Sequence, residues 1–311
     1  MFNWEERFQY MASLIEGHEV DIVAFQEVRF SIDEANEVKI SQLQKAKQHL
    51  PNHKWMVAQP AGPVELPKNA NWKRWTEEGL GILSKFPIIS FTKIKLTSQG
   101  GRDSNPRIAL HAQIQVTQSP HHVLNVVAVH FSYDKQQQCQ NAQQLLEFLE
   151  SQDLQNIIVL GDFNTYPDFS GPVDVFTSNV VKSCPFRRPH VPLFYDAAMD
   201  SHRVEDPLPL SFSNMPSPGY ISRPDRILLS PTFKVIRSDL YGHGGPYINS
   251  CYSAIIMKRT MSMLRSAFDS FIRRNGYSCL HDCGPHGSCR CGICVRGDCI
   301  ADFSVKSAVI T

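Results

Sequence analysis

The chain has 311 residues, of which 42% are hydrophobic and 20% are charged, a composition typical of globular proteins that excludes a disordered or collagen-like chain. Lysine and arginine total 31 against 30 for aspartate and glutamate, so no overall positive charge draws the protein to nucleic acid or to an anionic membrane. No apolar run approaches the roughly 20 residues that a membrane-spanning helix needs, and we therefore expect no membrane span in this chain.

Helical and strand patterns alternate along the first part of the chain. Apolar residues recur at helical spacing over residues 4–16, and a short buried strand is predicted over 21–25, ending close to Glu27. Further strand patterns follow at 81–84 and 107–116. Alternation of this kind favours an α/β fold.

The middle of the chain continues this alternation and then changes character. A strand, a helix and a second strand are predicted over residues 123–130, 137–150 and 156–160. Residues 168–224 are rich in proline, serine and aspartate and show little periodicity, so we predict surface loops with short strands there.

Two more strands precede the end of the chain, over residues 225–229 and 252–257. We assign residues 1–258 to one large domain, 259–276 to a linker helix and 277–303 to a small cysteine-rich module.

Acidic, amide and histidine side chains recur where the predicted strands meet loops, which is the usual location of functional sites in α/β proteins. These residues are Glu27, Glu78, His130, Asp162, Asn164 and Asp225. If the strands pair in one sheet or in two packed sheets, these side chains converge on one edge.

This set of side chains suits the cleavage of a phosphate ester. Such a substrate is an anion that repels hydroxide, so its site needs a cation, a nucleophile and hydrogen-bond donors. Glu27, Glu78 and Asp162 offer the hard oxygen ligands that Mg²⁺ prefers, with Mn²⁺ or Ca²⁺ as substitutes. Hydrogen bonds to phosphoryl or leaving-group oxygens would come from four other side chains, two of them arginines outside this set: His130, Asn164, Arg107 and Arg226.

Four sequence blocks resemble the endonuclease/exonuclease/phosphatase superfamily and occur in its order. They are Phe25-Gln-Glu-Val-Arg29, Glu78-Gly-Leu-Gly-Ile-Leu-Ser-Lys-Phe-Pro-Ile88, Gly161-Asp-Phe-Asn164 and Asp225-Arg-Ile-Leu228. The resemblance covers residues 1–258 and implies a four-layer α/β sandwich, in which helices flank two packed mixed β-sheets. It also implies a site that hydrolyses phosphate esters with the help of a divalent metal ion.

The resemblance implies roles for the matched residues. Glu27 matches the metal-binding glutamate, and Glu78 matches the acidic residue that orients the catalytic histidine in deoxyribonuclease-like members. His130 matches the first catalytic histidine, and Arg107 lies where related enzymes contact phosphate.

Three further residues complete the implied site. Asp162 and Asn164 match the pair that positions the attacking water and the phosphoryl oxygen, and Asp225 matches a further acidic position. The substrate expected from this resemblance is a phosphodiester, either in nucleic acid or in a phospholipid head group.

The sequence departs from the family pattern in two places. Family members begin with a strand that carries a metal-binding asparagine, and no such strand precedes the first helix here, so we expect an open sheet edge. The family also ends its site with a Ser-Asp-His block, and here Ser250 and Cys251 stand where the aspartate and histidine are expected. His243 lies eight residues before Cys251 and is the alternative base, but the glycine-rich stretch 242–245 that carries it does not fix its geometry.

Each candidate residue also has a structural interpretation. The alternatives are a surface carboxylate for Glu27 or Glu78, a hydrogen-bonded histidine for His130, a turn for Asp162 and Asn164, and an ion pair with Arg223 or Arg226 for Asp225. Outside the cysteine-rich module, Cys139, Cys184 and Cys251 are interpreted as buried thiols.

The cysteine-rich module is too short to bury a sufficient core and therefore needs cross-links. It contains Cys279, Cys283, Cys289, Cys291, Cys294 and Cys299. These residues either form three disulfides or bind Zn²⁺ together with His281 or His286. The sequence around them resembles an EGF-like module, which favours disulfides and an oxidising compartment.

The two ends of the chain point to different compartments. The first 17 residues lack the features of a signal peptide, whereas the cysteines favour the secretory pathway or the cell exterior. A shortened chain whose complete form carries a targeting segment and the first strand would explain both this conflict and the missing strand.

The sequence therefore supports two hypotheses about function. The first is a divalent-metal-dependent phosphodiester hydrolase. The second is a pseudoenzyme that has lost catalysis at Ser250 and Cys251 and binds a protein partner, through its loops or its EGF-like module.

Overall fold

The structure of the protein, a computed structural model, describes residues 4–33, 38–63, 76–97, 99–117, 123–166, 168–185, 190–201, 212–213, 221–241, 254–259 and 307–310. The helices in this part of the chain are α1 (Trp4–Gly17), α2 (Gln42–Gln48), α3 (Lys135–Ser151), α4 (Gly171–Thr177) and α5 (Ala197–Ser201). None of these described helices is long and apolar enough to cross a membrane.

The strands are short to medium in length and run through the whole described chain. They are β1 (Ile22–Asp33), β2 (Val38–Ser41), β3 (Trp55–Pro63), β4 (Glu77–Ser84), β5 (Ile88–Leu96), β6 (Arg107–Gln115), β7 (Val123–His130), β8 (Ile157–Asp162), β9 (Tyr195–Asp196), β10 (Phe212–Ser213), β11 (Ile221–Ser222), β12 (Asp225–Leu229), β13 (Val235–Tyr241), β14 (Ala254–Arg259) and β15 (Ser307–Ile310).

Two large sheets form the body of the protein. Sheet 1 has the order β13-β14-β15-β1-β4-β3, with β2 paired to β1, and sheet 2 has the order β5-β6-β7-β8-β12-β9. Each sheet is mixed, because β14 and β15 are parallel in sheet 1, and β7 and β8 are parallel in sheet 2. Strands β10 and β11 pair separately.

Strand β7 shows how the layers are built, since nearly every one of its residues is buried. Val126 and Ala128 pack in the core between the two sheets, whereas Val127 and Val129 pack on the opposite face, against α3 and α4. This alternation follows from the two-residue side-chain period of a strand. A strand buried on both faces must lie inside a layered structure.

The outer face of sheet 1 is covered in the same way. Phe8 and Ile15 of α1 and Leu43 of α2 pack with buried residues of β1 such as Val23 and Phe25. The helices therefore flank both sheets, and the predicted four-layer α/β sandwich is confirmed.

Several predicted elements have different bounds in the structure. The strand predicted over 21–25 continues to Asp33, and the strand predicted over 81–84 begins at Glu77, so that Glu78 lies inside β4. The predicted loop region 168–224 contains two short helices, α4 and α5. Residues 260–306 lie outside the described residues, which leaves the linker helix and the cysteine-rich module as predictions.

The expected open edge beside β1 is not present. One edge of β1 pairs with β4, and the other pairs with β15 in an antiparallel register that runs from Ile22 opposite Ile310 to Phe25 opposite Ser307. The expectation was wrong because β15 could not be predicted from the sequence: four residues are too few to show a periodicity that distinguishes a strand from a loop.

A disulfide joins Cys139 of α3 to Cys184, which follows α4. Both residues are buried, so the prediction of buried residues was correct, but the prediction of free thiols was wrong. The separation of 45 residues carries no pairing signal, and only the packing of α3 beside α4 brings the two sulfur atoms together. Cys251 lies outside the described residues.

We expect the double variant Cys139→Ser, Cys184→Ser to lower the free energy of unfolding by about 3 kcal/mol, because this cross-link restricts the unfolded chain. Urea unfolding without reductant measures the change, and mass spectrometry of unreduced peptides checks the bond. Equal unfolding curves for the variant and the wild-type protein would contradict the disulfide.

His111 of β6 is buried, and its Nε2 lies 2.9 Å from the side-chain oxygen of Asn125. Because an amide oxygen accepts, Nε2 of His111 carries the proton and donates. Burial lowers the pKa of His111 below its usual value of 6.5, although the hydrogen bond to Asn125 acts in the opposite direction.

This lowered pKa predicts a loss of stability in acid. Below a pH of about 6.5 the unfolded chain binds a proton at His111 that the folded chain binds less well, so stability falls as the pH falls. The His111→Gln variant keeps a donor to Asn125 and should lose less stability than the wild-type protein between about pH 7.5 and about pH 5.5. Thermal unfolding at both pH values measures the difference, and equal losses would contradict the prediction.

Candidate active site

Three predicted site residues lie in one row across neighbouring strands of sheet 2. His130 ends β7, Asp162 ends β8, and these two residues are register partners in the parallel pair. Asp225 begins β12 and is the antiparallel register partner of Asp162. The row arises because β7 and β8 end at the same edge of the sheet and β12 starts there.

The side chains of this row share one face of the sheet. Along a strand, every second residue points to the same side. The residues two positions away on the same strands pack in the core between the two sheets: Ala128, Leu160 and Ile227. We therefore conclude that His130, Asp162 and Asp225 face sheet 1, at the edge where the core ends.

A β-bulge in sheet 1 lies opposite this row. The pairing of β1 with β4 shifts between Phe25 and Val28, and Glu27 has a positive φ of 57°. The side chain of Gln26 is fully buried, and its amide nitrogen lies 3.1 Å from the position that a Cβ atom of Gly161 would take. Bulges commonly redirect a side chain beside a site, and this one brings the Glu27 segment to the end of β8.

Asp162 and Asn164 form a tight turn directly after β8. The carboxylate of Asp162 is buried, and its Oδ1 accepts a hydrogen bond of 2.7 Å from the backbone N–H of Asn164. Its other oxygen, Oδ2, lies 3.9 Å from Nε2 of His130. The predicted turn is therefore real, and the same carboxylate faces the histidine.

Asn164 is held from two sides. Its side-chain nitrogen donates to the carbonyl oxygen of Phe131 at 2.8 Å, and its own carbonyl oxygen accepts from the side chain of Gln138 at 2.7 Å. Asn164 has a positive φ of 51°, a conformation that asparagine tolerates better than most residues. The turn after β8 is thus fixed to the loop after β7 and to α3.

The first turns of α3 carry buried polar side chains that organise the surrounding loops. Gln137 accepts from the hydroxyl of Ser132 at 2.8 Å and donates to the carbonyl oxygen of Asp103 at 3.2 Å. Asn141 accepts from the backbone N–H of Ser132 at 3.0 Å. These bonds explain why a glutamine-rich helix packs beside the site, a feature that the sequence left without a function.

A cluster of charged residues lies at the Asp225 end of the row. Arg223 pairs with the carboxylate of Asp196, and Nε of Arg226 lies 3.4 Å from the same carboxylate oxygen. Arg226 also donates from Nη1 to the carbonyl oxygen of Asp225 at 3.3 Å. Burial and the charge of Arg223 lower the pKa of Arg226 to about 10, against the opposing charges of Asp196, Asp225 and Asp162. Arg226 is therefore still a cation at neutral pH.

Two predicted residues are engaged in ion pairs. Glu78 lies 2.8 Å from Arg29, its register partner on β1. Arg107 donates two hydrogen bonds, of 3.0 Å and 2.8 Å, to one carboxylate oxygen of Asp103. Burial alone would raise the pKa of Asp103, but Arg107 and hydrogen bonds hold it below its usual range. The roles expected for Glu78 and Arg107 stay predictions.

Within the described residues, no group of three histidine, cysteine, aspartate or glutamate side chains is close enough to hold a metal ion. A smaller set would suffice for a divalent cation such as Mg²⁺, because this ion binds to one or two carboxylates and keeps several water ligands, and a carboxylate such as that of Glu27 has suitable donor chemistry. Ser250, Cys251 and His243 lie outside the described residues.

The profile of the Endonuclease/Exonuclease/phosphatase family matches residues 2–267 of the sequence. The chain belongs to this family. Among curated proteins, none matches the sequence.

Several solved structures have a similar fold. An endonuclease/exonuclease/phosphatase from Bacteroides vulgatus superposes with a TM-score of 0.54 at 20% identity, covering 78% of this chain and 85% of its own. A mannosyl-6-phosphatase from Bacteroides thetaiotaomicron has a TM-score of 0.53 at 19% identity, covering 77% and 83%. The 2′,3′-cyclic phosphatase ANGEL2 has a TM-score of 0.52 at 14% identity, covering 76% and 78%.

Sequence reasoning missed Asp196 and assigned Arg223 only to a possible ion pair with Asp225. Asp196 lies in a stretch predicted as loop, 27 residues before Arg223, and no motif connects the two. The only available signal was the pair of arginines around Asp225, which places two cations beside an acidic position of the family motif.

The contact at Gly161 leads to a prediction. A Cβ atom there would lie 2.1 Å from the carbonyl oxygen of Val129, and φ of this glycine is 135°. We expect Gly161→Ala to lower the free energy of unfolding by about 2 kcal/mol, because both the contact and the backbone conformation exclude a side chain.

Gly17→Ala is the matched control, since a Cβ atom at Gly17 meets no atom within 4 Å. We expect it to change stability by less than about 1 kcal/mol. Chemical denaturation measures both variants, and equal stabilities would show that β8 does not approach β7 and the β1 bulge as closely as described.

Proposed function

We propose that this protein is a phosphoesterase that cleaves a phosphodiester by attack of water on phosphorus, in the row formed by His130, Asp162 and Asp225. The observation that carries the proposal is this row itself, which faces the Glu27 bulge of the other sheet. Membership of the endonuclease/exonuclease/phosphatase family supports it, and so do phosphatases among the structures with a similar fold.

Asp162 and His130 supply proton transfer in this proposal. The Asp162 carboxylate is buried and held by the N–H of Asn164, so its position is fixed before substrate binds. It can accept a proton from the attacking water, and its other oxygen, Oδ2, lies 3.9 Å from Nε2 of His130. Protonated His130 would donate to a phosphoryl or leaving-group oxygen.

The anionic substrate requires positive charge in the site. Arg226 is a partly buried cation beside Asp225, and it would offset charge that develops on the phosphoryl oxygens. Glu27 would hold Mg²⁺, or Mn²⁺ or Ca²⁺ in its place, because it matches the metal-binding glutamate of the family motif. When bound, such an ion polarises the phosphoryl oxygen and lowers the pKa of a bound water.

The proposed substrate is a phosphodiester in nucleic acid or in a phospholipid head group. A net charge of +1 provides little of the nonspecific attraction that a nuclease gains from a basic surface, which favours a smaller or lipid-derived phosphodiester.

We further propose that the protein is extracellular or resides in the secretory pathway. The disulfide between Cys139 and Cys184 supports an oxidising compartment, in agreement with the cysteine-rich run at 279–299. An EGF-like module there would bind a protein partner.

The activity is tested with the purified chain, Mg²⁺ or Mn²⁺, and three substrates: a chromogenic phosphodiester, DNA and sphingomyelin. We expect turnover that a chelator abolishes, and we expect Asp162→Asn to lower kcat/KM by a factor of about 10² to 10⁴. Such a loss follows from removing the charge beside His130.

Asp153→Asn is the matched control, because it makes the same chemical change at an exposed residue before the start of β8. It should leave kcat/KM unchanged. Equal rates for Asp162→Asn and wild type would refute the proposed site. No turnover of any substrate by the folded protein would favour the alternative, a binding protein whose catalysis is lost at Ser250 and Cys251.

A further inference from the structure

Strand β15 occupies a central position in sheet 1 although it contains only four residues. It is antiparallel to β1 on one side, where Val309 is opposite Val23. It is parallel to β14 on the other side, where Val309 is opposite Ile256. In the described sheet, β15 is the strand that joins the β13–β14 pair to β1 and the rest of the sheet.

Leaving the β15-facing edge of β1 unpaired would destabilise the fold. The four residues of β1 in the pairing, from Ile22 to Phe25, are all buried. Buried backbone N–H and C=O groups need hydrogen-bond partners, and an uncovered apolar strand edge pairs with other chains. The slot between β1 and β14 therefore needs an extended segment to fill it.

The segment that fills the slot is remote in sequence from both neighbours. Residues 260–306 separate β14 from β15, which is 47 residues of chain, and the paired residues of β1 and β15 are 282 to 288 positions apart. No short connection ties β15 to either neighbour, and the described contacts that hold it in the sheet are its pairings with β1 and β14. Its sequence, Ser-Ala-Val-Ile, carries no charge.

The position of β15 also connects the slot to the candidate active site. Ser307, at the start of β15, is opposite Phe25, and the bulge of β1 begins directly after Phe25. The pairing therefore extends along β1 up to the segment that carries Glu27.

We infer that the slot between β1 and β14 is a strand-binding site whose occupant is the chain's own segment 307–310, and that this segment is separable from the fold. Its ligand class is an uncharged, largely apolar peptide in extended conformation, bound by main-chain pairing. The inference does not depend on the phosphoesterase activity.

A cross-link in the full chain tests the pairing. Ala24 and Ala308 are directly opposite, so Ala24→Cys combined with Ala308→Cys should form a disulfide between the two positions. Ala24→Cys with Ser307→Cys is the matched control, because a shift of one residue turns the second cysteine to the other face. Isotopically labelled and unlabelled protein are mixed before folding, and the unreduced peptides are analysed by mass spectrometry. Peptide pairs that combine a labelled and an unlabelled partner report disulfides between chains, whereas disulfides within one chain join peptides with the same label.

A second experiment tests whether the segment is separable. Val309→Pro removes a strand N–H and should lower the melting temperature by about 5 °C, whereas Val309→Thr keeps the N–H and should lower it much less. A synthetic peptide of residues 304–311 should restore the melting temperature of the Val309→Pro variant in a saturable manner. The same peptide with proline in place of Val309 should not restore the melting temperature of this variant. Neither peptide should change the melting temperature of the wild-type protein.

A bond between positions 24 and 308 within one chain, together with rescue by the peptide, is the expected result. The inference is overturned if the bond fails to form or forms only between chains. It is also overturned if Val309→Pro melts like Val309→Thr, or if the peptide acts equally on variant and wild type. If Val309→Pro does not fold, the variant is refolded in the presence of the peptide. The inference is then overturned if the peptide yields no folded protein.

Discussion

The candidate active site depends on the register of β8 between its two neighbours in sheet 2. This register places Asp162 beside His130 on one side and beside Asp225 on the other. A slip of one residue would turn Asp162 to the opposite face, toward the helices, and would separate it from both partners. Gly161 makes the register possible, because any side chain at this position would collide with Val129 of β7. The residue before the catalytic candidate is thus as constrained as the candidate itself.

Charge is concentrated where the apolar core between the sheets ends. Asp162 and Asp225 are opposite each other on paired strands, an arrangement that is unfavourable for two carboxylates unless positive charge is close. Arg226 provides such a charge, and Asp196 in turn compensates Arg226 and Arg223. Buried ion pairs contribute little to stability, since desolvation offsets their attraction. This compact group of charges at a strand edge is the feature from which the proposal of an anionic substrate starts.

Helix α3 links this charged edge to the rest of the fold. The buried face of its C-terminal half is apolar and packs on sheet 2, as expected for an amphipathic helix. Its N-terminal half instead buries amide side chains, and one of them, Gln138, holds the turn that contains Asn164. The next residue, Cys139, is bonded to Cys184, so the same turn of α3 is also tied to the segment after α4. One helix therefore performs a packing function and a positioning function in separate halves.

Local features of the sequence determined much of the fold and part of the site. Periodicity predicts the bounds of β7 and β12, and it predicts the ends of α3 to within two residues. It does so because apolar spacing indicates which face of a strand or helix is buried. Asp162, Asn164 and Asp225 follow from short motifs, since a turn after a strand is a local structure. The tertiary structure alone decided the features that join distant segments: the bond between Cys139 and Cys184, the shared carboxylate of Asp196, and the place of β15 beside β1. Pairing between residues far apart in sequence depends on the path of the whole chain, and no local pattern of residues carries that information.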